Sequence, residues 1–200
     1  MITKVQGKTL TEGFVLARTP RLSALEKGML KWAVVDPEDK VLDANIGSGM
    51  MAEYLRRNLL CELCGVSDHM EDVRQARARL QNCDIVYAAP GDIPWREDAF
   101  DTVLMKLGGE GQEQLRRMLT EAKRVLKPGG QLILGAMCFP ASMQGRGGEE
   151  RRYFRLKPIR ELLGQLSYEK VSWQRTGLFT GVVIAWKAQK SQVEQVRKEP

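Results

Sequence analysis

Short apolar runs alternate with longer amphipathic stretches along the first two thirds of the chain, and this alternation limits the folds open to it. Five runs are typical of buried strands: Lys40–Ala44, Leu63–Val66, Asp84–Ala88, Phe100–Lys106 and Gln131–Met137. Three stretches with apolar residues three or four positions apart predict helices: Met50–Leu60, Asp68–Leu80 and Gln112–Leu126. Strands that alternate with helices in this way predict right-handed βαβ units and an α/β fold with a parallel sheet.

The last quarter of the chain has a different pattern. A short helix is predicted over Ile159–Leu166, followed by two strands, Tyr168–Arg175 and Leu178–Lys187, joined at Thr176-Gly177. Strands so close in sequence can pair only antiparallel. Residues 1–20 lack periodicity and residues 188–200 are polar, so we expect one domain over 1–200 with an N-terminal flap and a polar tail.

Composition excludes several classes of protein. A 43% hydrophobic and 28% charged chain of 200 residues is ordinary for a globular domain, and excludes a disordered or collagen-like chain. The sequence has no apolar run long enough for a signal peptide or a membrane helix. Without a secretory signal, its four cysteines are expected to be reduced thiols. We therefore expect a soluble cytoplasmic protein with no membrane partner.

A glycine-bearing turn follows the first strand and precedes a helix, in the segment VLDANIGSG, Val41–Gly49. In open α/β sheets ligands bind at the carboxyl ends of the strands, where glycine lets the backbone approach them. The pattern alone is weak, but it occurs together with WREDAFDTVLM (Trp95–Met105), LKPGGQLIL (Leu126–Leu134) and the terminal hairpin.

As a set, these segments resemble the small-molecule branch of the class I S-adenosylmethionine-dependent methyltransferases, from Leu22 to Lys187. The resemblance implies a Rossmann-like sheet of seven strands flanked by helices, in the order 3-2-1-4-5-7-6 with strand 7 antiparallel. It also implies S-adenosyl-L-methionine as cofactor and a small or medium-sized acceptor as substrate. Methyl transfer is an in-line displacement that needs alignment and desolvation more than a base, so no catalytic residue is assigned.

The resemblance also implies which residues hold the cofactor. The expected set is Asp43, Asn45, Ile46, Gly47, Gly49 and Lys106 around the turn, Ser67, Asp68 and His69 near the ribose, and Ala88, Ala89 and Asp92 near the adenine. Three positions depart from the family pattern: Asn45 replaces the first glycine, Ser67 the ribose acid, and Ala88 or Ala89 the adenine-side acid. These departures leave an alternative open, a binding or regulatory module with weakened or lost cofactor binding.

Two further motifs have competing interpretations. Gly47–Ala52 also fits the dinucleotide pattern G-x-G-x-x-A, although Asp43–Ile46 separates it from the strand. Cys61 and Cys64 have the spacing of zinc and redox sites, but there is no second pair and His69 is the only histidine. We therefore predict packing thiols and no metal.

Nucleic acid is the remaining candidate partner, because the net charge is +6. Lys106–Gly109 stands where base methyltransferases carry an (Asp/Asn)-Pro-Pro-Tyr motif, and no Pro-Cys nucleophile is present. Only Gly145–Arg160 concentrates arginines beside aromatic residues, as an RNA-binding edge does. A solvated loop explains that segment more simply, so no specific nucleic-acid binding is expected.

Overall fold

A seven-stranded sheet is the centre of the computed structural model, which describes residues 22–108, 110–137, 156–177 and 180–189. The strands are β1 Lys40–Asp43, β2 Glu62–Ser67, β3 Asp84–Tyr87, β4 Phe100–Leu107, β5 Leu126–Met137, β6 Tyr168–Arg175 and β7 Thr180–Lys187. The helices are α1 Ala24–Trp32, α2 Met50–Leu59, α3 Met70–Arg79, α4 Gln112–Val125 and α5 Leu156–Gln165.

The strand order is β3-β2-β1-β4-β5-β7-β6. Strands β1 to β5 pair parallel, while β7 pairs antiparallel with both β5 and β6. This topology confirms the predicted Rossmann-like α/β class, its strand order and the antiparallel seventh strand. It also brings the carboxyl ends of β1, β2, β3, β4 and β5 to one edge of the sheet, the edge at which ligands bind in open α/β folds.

Helices cover both faces of the sheet because successive strand residues point to opposite sides. In β4, Val103 and Met105 belong to the core under α4 and α5, whereas Leu104 belongs to the core under α1, α2 and α3. The central strand β4 therefore has apolar residues at most of its positions, which is why it appears in the sequence as a nearly continuous apolar run.

Several predicted boundaries were wrong. Helix α3 begins at the exposed Met70 rather than at Asp68, because the Ser67 hydroxyl accepts the His69 N–H in the turn that precedes the helix. Strand β5 begins at Leu126 rather than Gln131, since Leu126 already pairs with Phe100 of β4. The register then shifts across residues 127–130, where Gly129 has a φ of +79°. Helix α5 begins at Leu156, three residues earlier than predicted.

Helix α1 was not predicted at all, although its amino-terminal signal is present in the sequence. Ser23 and Glu26 form a capping box, in which each side chain accepts a hydrogen bond from the other residue's backbone N–H. Its buried residues Met29 and Leu30 pack on the same face of the sheet as α2 and α3. The Met29 side chain packs against Gly135, near the carboxyl end of β5, so α1 lies close to this edge of the sheet.

Parts of three expectations lie outside the described residues. These are the N-terminal flap, most of the polar tail and most of Gly145–Arg160, although the last five positions of that segment, 156–160, form the start of α5. Within the described ranges, no helix is long and apolar enough to cross a membrane.

Candidate active site

Backbone hydrogen bonds fix the turn after β1 between the two neighbouring strands. The Ala44 N–H donates to the Leu104 carbonyl of β4 at 2.8 Å, and the Ile46 N–H donates to the Val66 carbonyl of β2 at 3.0 Å. The side chain of Asn45 adds a third link, because its Oδ1 accepts the Lys106 N–H at 3.2 Å. Asparagine therefore has a structural function where the family pattern has glycine.

The two glycines of the turn have different surroundings, although both have positive φ angles, +54° at Gly47 and +79° at Gly49. A Cβ added at Gly49 would lie 3.2 Å from the Ala76 Cα, so this glycine allows α2 to begin close against α3. Among the described residues, a Cβ added at Gly47 would come within 4 Å of the Lys106 Nζ alone, at 3.9 Å. Gly47 is thus the position at which the backbone is open to a ligand.

Asp43 ends β1 with a completely buried carboxylate. Its Oδ1 accepts the Asn45 N–H at 3.3 Å, whereas Oδ2 has no hydrogen-bond partner among the described residues. Burial raises the pKa of Asp43, and the positive charge of Lys106 partly opposes that rise. A buried carboxylate oxygen without a partner is costly, so its presence indicates a site for a donor or a cation.

Lys106, near the end of β4, forms an ion pair with Glu26 of α1, with 3.4 Å between Nζ and Oε1. Both side chains are mostly buried, with 26% and 13% of their surface exposed. Glu26 is the functional candidate that the sequence analysis missed. The capping box could have located it at a helix terminus, but not beside Lys106, which lies 80 positions along the chain.

The buried Ser67, at the end of β2, has a structural role. Its Oγ accepts the His69 N–H at 3.1 Å and donates to Asp72 Oδ2 at 3.3 Å, which fixes the start of α3. Asp68 and His69 are exposed, and 2.7 Å separates Asp68 Oδ1 from His69 Nδ1. Of the three predicted ribose residues, Asp68 therefore presents the accessible carboxylate.

After β3, the Ala88 N–H donates to the Ser67 carbonyl at 3.0 Å, which places the Ala88–Asp92 segment beside the end of β2. Ala88 packs partly against the core, while Ala89 and Asp92 are exposed. Tyr87, the last residue of β3, is 54% exposed and was not predicted. Three of the four exposed large hydrophobic residues in the described ranges lie at the carboxyl edge of the sheet: Tyr87, Met70 and Met137.

One predicted residue lies outside the open part of the site. The Ile46 side chain is buried and packs against Gly65 of β2, where an added Cβ would overlap it. Only the backbone of Ile46 is therefore available at the turn. The structure thus brings together Asp43, Asn45, Gly47 and Lys106 around one opening, with Glu26 added by α1.

The opposite edge of the sheet carries a surface cleft of about 500 Å³, lined partly by Cys61, Cys64 and Cys83. Burial raises the pKa of Cys61 to about 11 and that of Cys64 to about 12, as expected for packing thiols. Within the described ranges, no group of three or more potential ligands is placed to hold a metal ion. The cleft contains none of the predicted cofactor residues.

Comparison with protein families gives a match over residues 42–134 to a family described as "Methyltransferase domain". This match begins in β1 and ends in β5, so it includes the turn and the strand ends described above.

Among curated proteins, the chain is 31% identical over 101 residues to demethylmenaquinone methyltransferase of Thermotoga maritima, a stretch covering 50% of this chain and 44% of that enzyme. It is 24% identical over 190 residues to demethylmenaquinone methyltransferase of Bacillus cereus, covering 90% and 80% of the two chains. The alignment with the Thermotoga enzyme thus spans less than half of that relative's length.

Among solved structures, the fold is similar to a chain from the complex between the Haloferax volcanii Trm112 methyltransferase activator and a methyltransferase. The TM-score is 0.72 with 17% sequence identity, covering 84% of this chain and 90% of that one. At this identity, the similarity establishes the fold alone.

Proposed function

We propose that the chain is a class I S-adenosylmethionine-dependent methyltransferase that methylates a small-molecule acceptor. Its match to a methyltransferase domain over residues 42–134 and its sheet order support this proposal. The observation that carries the proposal is the buried Asp43 Oδ2, which has no hydrogen-bond partner among the described residues and lies beside the open backbone of Gly47 and the ammonium of Lys106. A negative and a positive group on either side of an open turn complement a zwitterionic amino-acid moiety such as the one this cofactor carries.

The proposed contacts to the ribose and the adenine lie at the carboxyl ends of β2 and β3. Asp68 is proposed to accept hydrogen bonds from the ribose hydroxyls, because the Ser67 hydroxyl is already engaged with α3. The Ala88–Asp92 segment, next to the exposed Tyr87, is proposed to border the adenine. When bound, the cofactor supplies a methyl group on a positively charged sulfur; the protein aligns the acceptor and excludes water.

For the acceptor, we propose a quinone-type aromatic ring in its reduced form. The names of the Thermotoga and Bacillus relatives support this class, since both are demethylmenaquinone methyltransferases. The exposed Met137, which ends β5 on the side of the site away from the proposed adenine border, also adds an apolar surface that suits an aromatic acceptor.

The test incubates the purified chain with S-adenosylmethionine and a reduced naphthoquinone that lacks a ring methyl group, with mass spectrometry of the product. We expect addition of one methyl group, and loss of product when Gly47 is replaced by Val. Cofactor binding without methylation of the quinol would contradict only the acceptor class. Absence of cofactor binding at millimolar ligand would contradict the function itself and favour a binding or regulatory module.

A further inference from the structure

Glu26 is a fixed negative charge beside the proposed cofactor site. Its Oε2 accepts hydrogen bonds from both the backbone N–H and the hydroxyl of Ser23, each at 2.9 Å. Its Oε1 is turned to Lys106 Nζ at 3.4 Å, longer than a close charge-assisted hydrogen bond. The carboxylate is therefore held by the start of α1, independently of Lys106.

Together, Glu26, Asp43 and Lys106 form a mostly buried group of charges that interact with one another. Lys106 lowers and Glu26 raises the pKa of Asp43, so both charges act at its buried carboxylate. When Asp43 is ionised, the group contains two negative charges, on Asp43 and Glu26, and one positive charge, on Lys106. Within the part of the chain that the structure describes, the Asp43 Oδ2 has no hydrogen-bond partner, which is independent evidence that the group is incomplete without a ligand.

We propose that Glu26 is a specificity-determining residue that makes this site prefer S-adenosylmethionine over the demethylated product, S-adenosylhomocysteine. The inference rests on the proposed function. In the transfer, the bond between sulfur and the methyl carbon breaks and its electron pair stays on sulfur. An electron pair of the acceptor forms the new bond to the methyl carbon, and the proton displaced from the acceptor goes to solvent. The cofactor thereby loses one positive charge, while its other contacts are unchanged.

A group of side chains with excess negative charge attracts the positively charged sulfonium of S-adenosylmethionine more strongly than the uncharged thioether of S-adenosylhomocysteine. The effect acts through space and needs no direct contact between Glu26 and sulfur. At a separation of several ångströms in a partly buried site, one such charge changes relative affinity by about tenfold or more. Glu26 thus favours release of the product after each turnover.

The test measures dissociation constants of both ligands by calorimetry for the wild type, Glu26→Gln and Glu62→Gln. Glutamine can still form a capping box, so α1 is retained. Glu62 is a matched control, because it pairs with Lys40 at the opposite edge of the sheet. In Glu26→Gln, we expect the dissociation constant of S-adenosylmethionine, divided by that of S-adenosylhomocysteine, to rise by about tenfold. In Glu62→Gln, we expect this ratio to equal that of the wild type.

A second variant keeps the proposal testable if Glu26→Gln does not fold. Lys106→Met removes the positive charge, and should increase the preference for S-adenosylmethionine even if it weakens both ligands. An unchanged ratio in Glu26→Gln, or a ratio in Lys106→Met that moves the other way, would overturn the inference and leave the proposed function intact. No binding of either ligand by the wild type would overturn both.

Discussion

Asp43 binds its proton more readily in the folded chain than in the unfolded one, because burial raises its pKa above the ordinary value of 3.8. The folded state therefore holds more protons than the unfolded state between those two pKa values. The contribution of Asp43 to the free energy of unfolding is therefore most favourable below the ordinary pKa, and it is lost as the pH rises through the raised pKa. At neutral pH this residue lowers the stability of the fold, as expected of a group retained for binding.

Replacing Asp43 with Asn should raise the free energy of unfolding at neutral pH by about 1–2 kcal/mol, because the buried charge is removed while the shape is kept. The gain should shrink as the pH is lowered toward 3.8. The same variant should bind S-adenosylmethionine more weakly. Urea unfolding at a series of pH values and calorimetry measure the two effects. Lower stability at neutral pH would contradict this account of Asp43.

Gly47 and Gly49 offer a matched pair of substitutions. Both Gly47→Ala and Gly49→Ala place a side chain in the left-handed region, at a cost of about 1–2 kcal/mol each. Gly49→Ala should lose more stability, since its Cβ lies 3.2 Å from the Ala76 backbone. Gly47→Ala should instead lose cofactor affinity, because its Cβ lies in the opening. Denaturation and calorimetry separate the two outcomes, and equal effects of both variants on binding and stability would refute the distinction.

Asp68 is predicted to be the ribose acid, one position later than the family pattern. Asp68→Ala should weaken cofactor binding by about 1.5–3 kcal/mol, the range for hydrogen bonds to a charged group. Glu71→Ala is the control, because Glu71 is an exposed acid three positions along the chain, in the first turn of α3. A loss in Asp68→Ala no greater than that in Glu71→Ala would show that Asp68 faces only solvent.

Among the elements, α1 determines whether Glu26 reaches the site. It packs over Gly135 of β5, where an added Cβ would overlap the Met29 side chain. Gly135→Val should therefore cost about 1–3 kcal/mol of stability and displace α1. The variant should lose the ligand preference assigned to Glu26. Gly164→Ala in α5 is the control, since a Cβ there meets no described residue within 4 Å. Retention of wild-type ligand preference in Gly135→Val would contradict this coupling.

The elements also show what the sequence could predict. The strands β1 to β5 and the helices α2 to α4 were found because their apolar periodicity is local. Helix α1 was missed because its first turn carries only the Ser23–Glu26 signal. The start of β5 was misplaced because Pro128 and the glycines after it mark a turn in sequence, whereas Leu126, just before them, already pairs with Phe100 of β4.

At the scale of the whole molecule, the sheet order was predictable from the resemblance and is confirmed by the structure. The turn residues were identified by their motif, but their surroundings depend on contacts between distant segments. Contacts between segments that are separated in the sequence produce the pairing of Lys106 with Glu26 and the hydrogen bond of Ser67 to α3. They also leave the Asp43 Oδ2 without a partner among the described residues. Sequence periodicity contains no information about such contacts.

The central claim is that the carboxyl edge of the sheet, around Asp43 and Gly47, binds S-adenosylmethionine. Proton–nitrogen correlation NMR of the labelled chain, titrated with the cofactor, tests it most directly. We predict saturable shifts of the amide resonances of Asn45, Gly47, Gly49 and Lys106, with little change at Cys61 and Cys83 on the opposite edge. No shifts at millimolar cofactor, or shifts confined to the cleft lined by those cysteines, would contradict the claim.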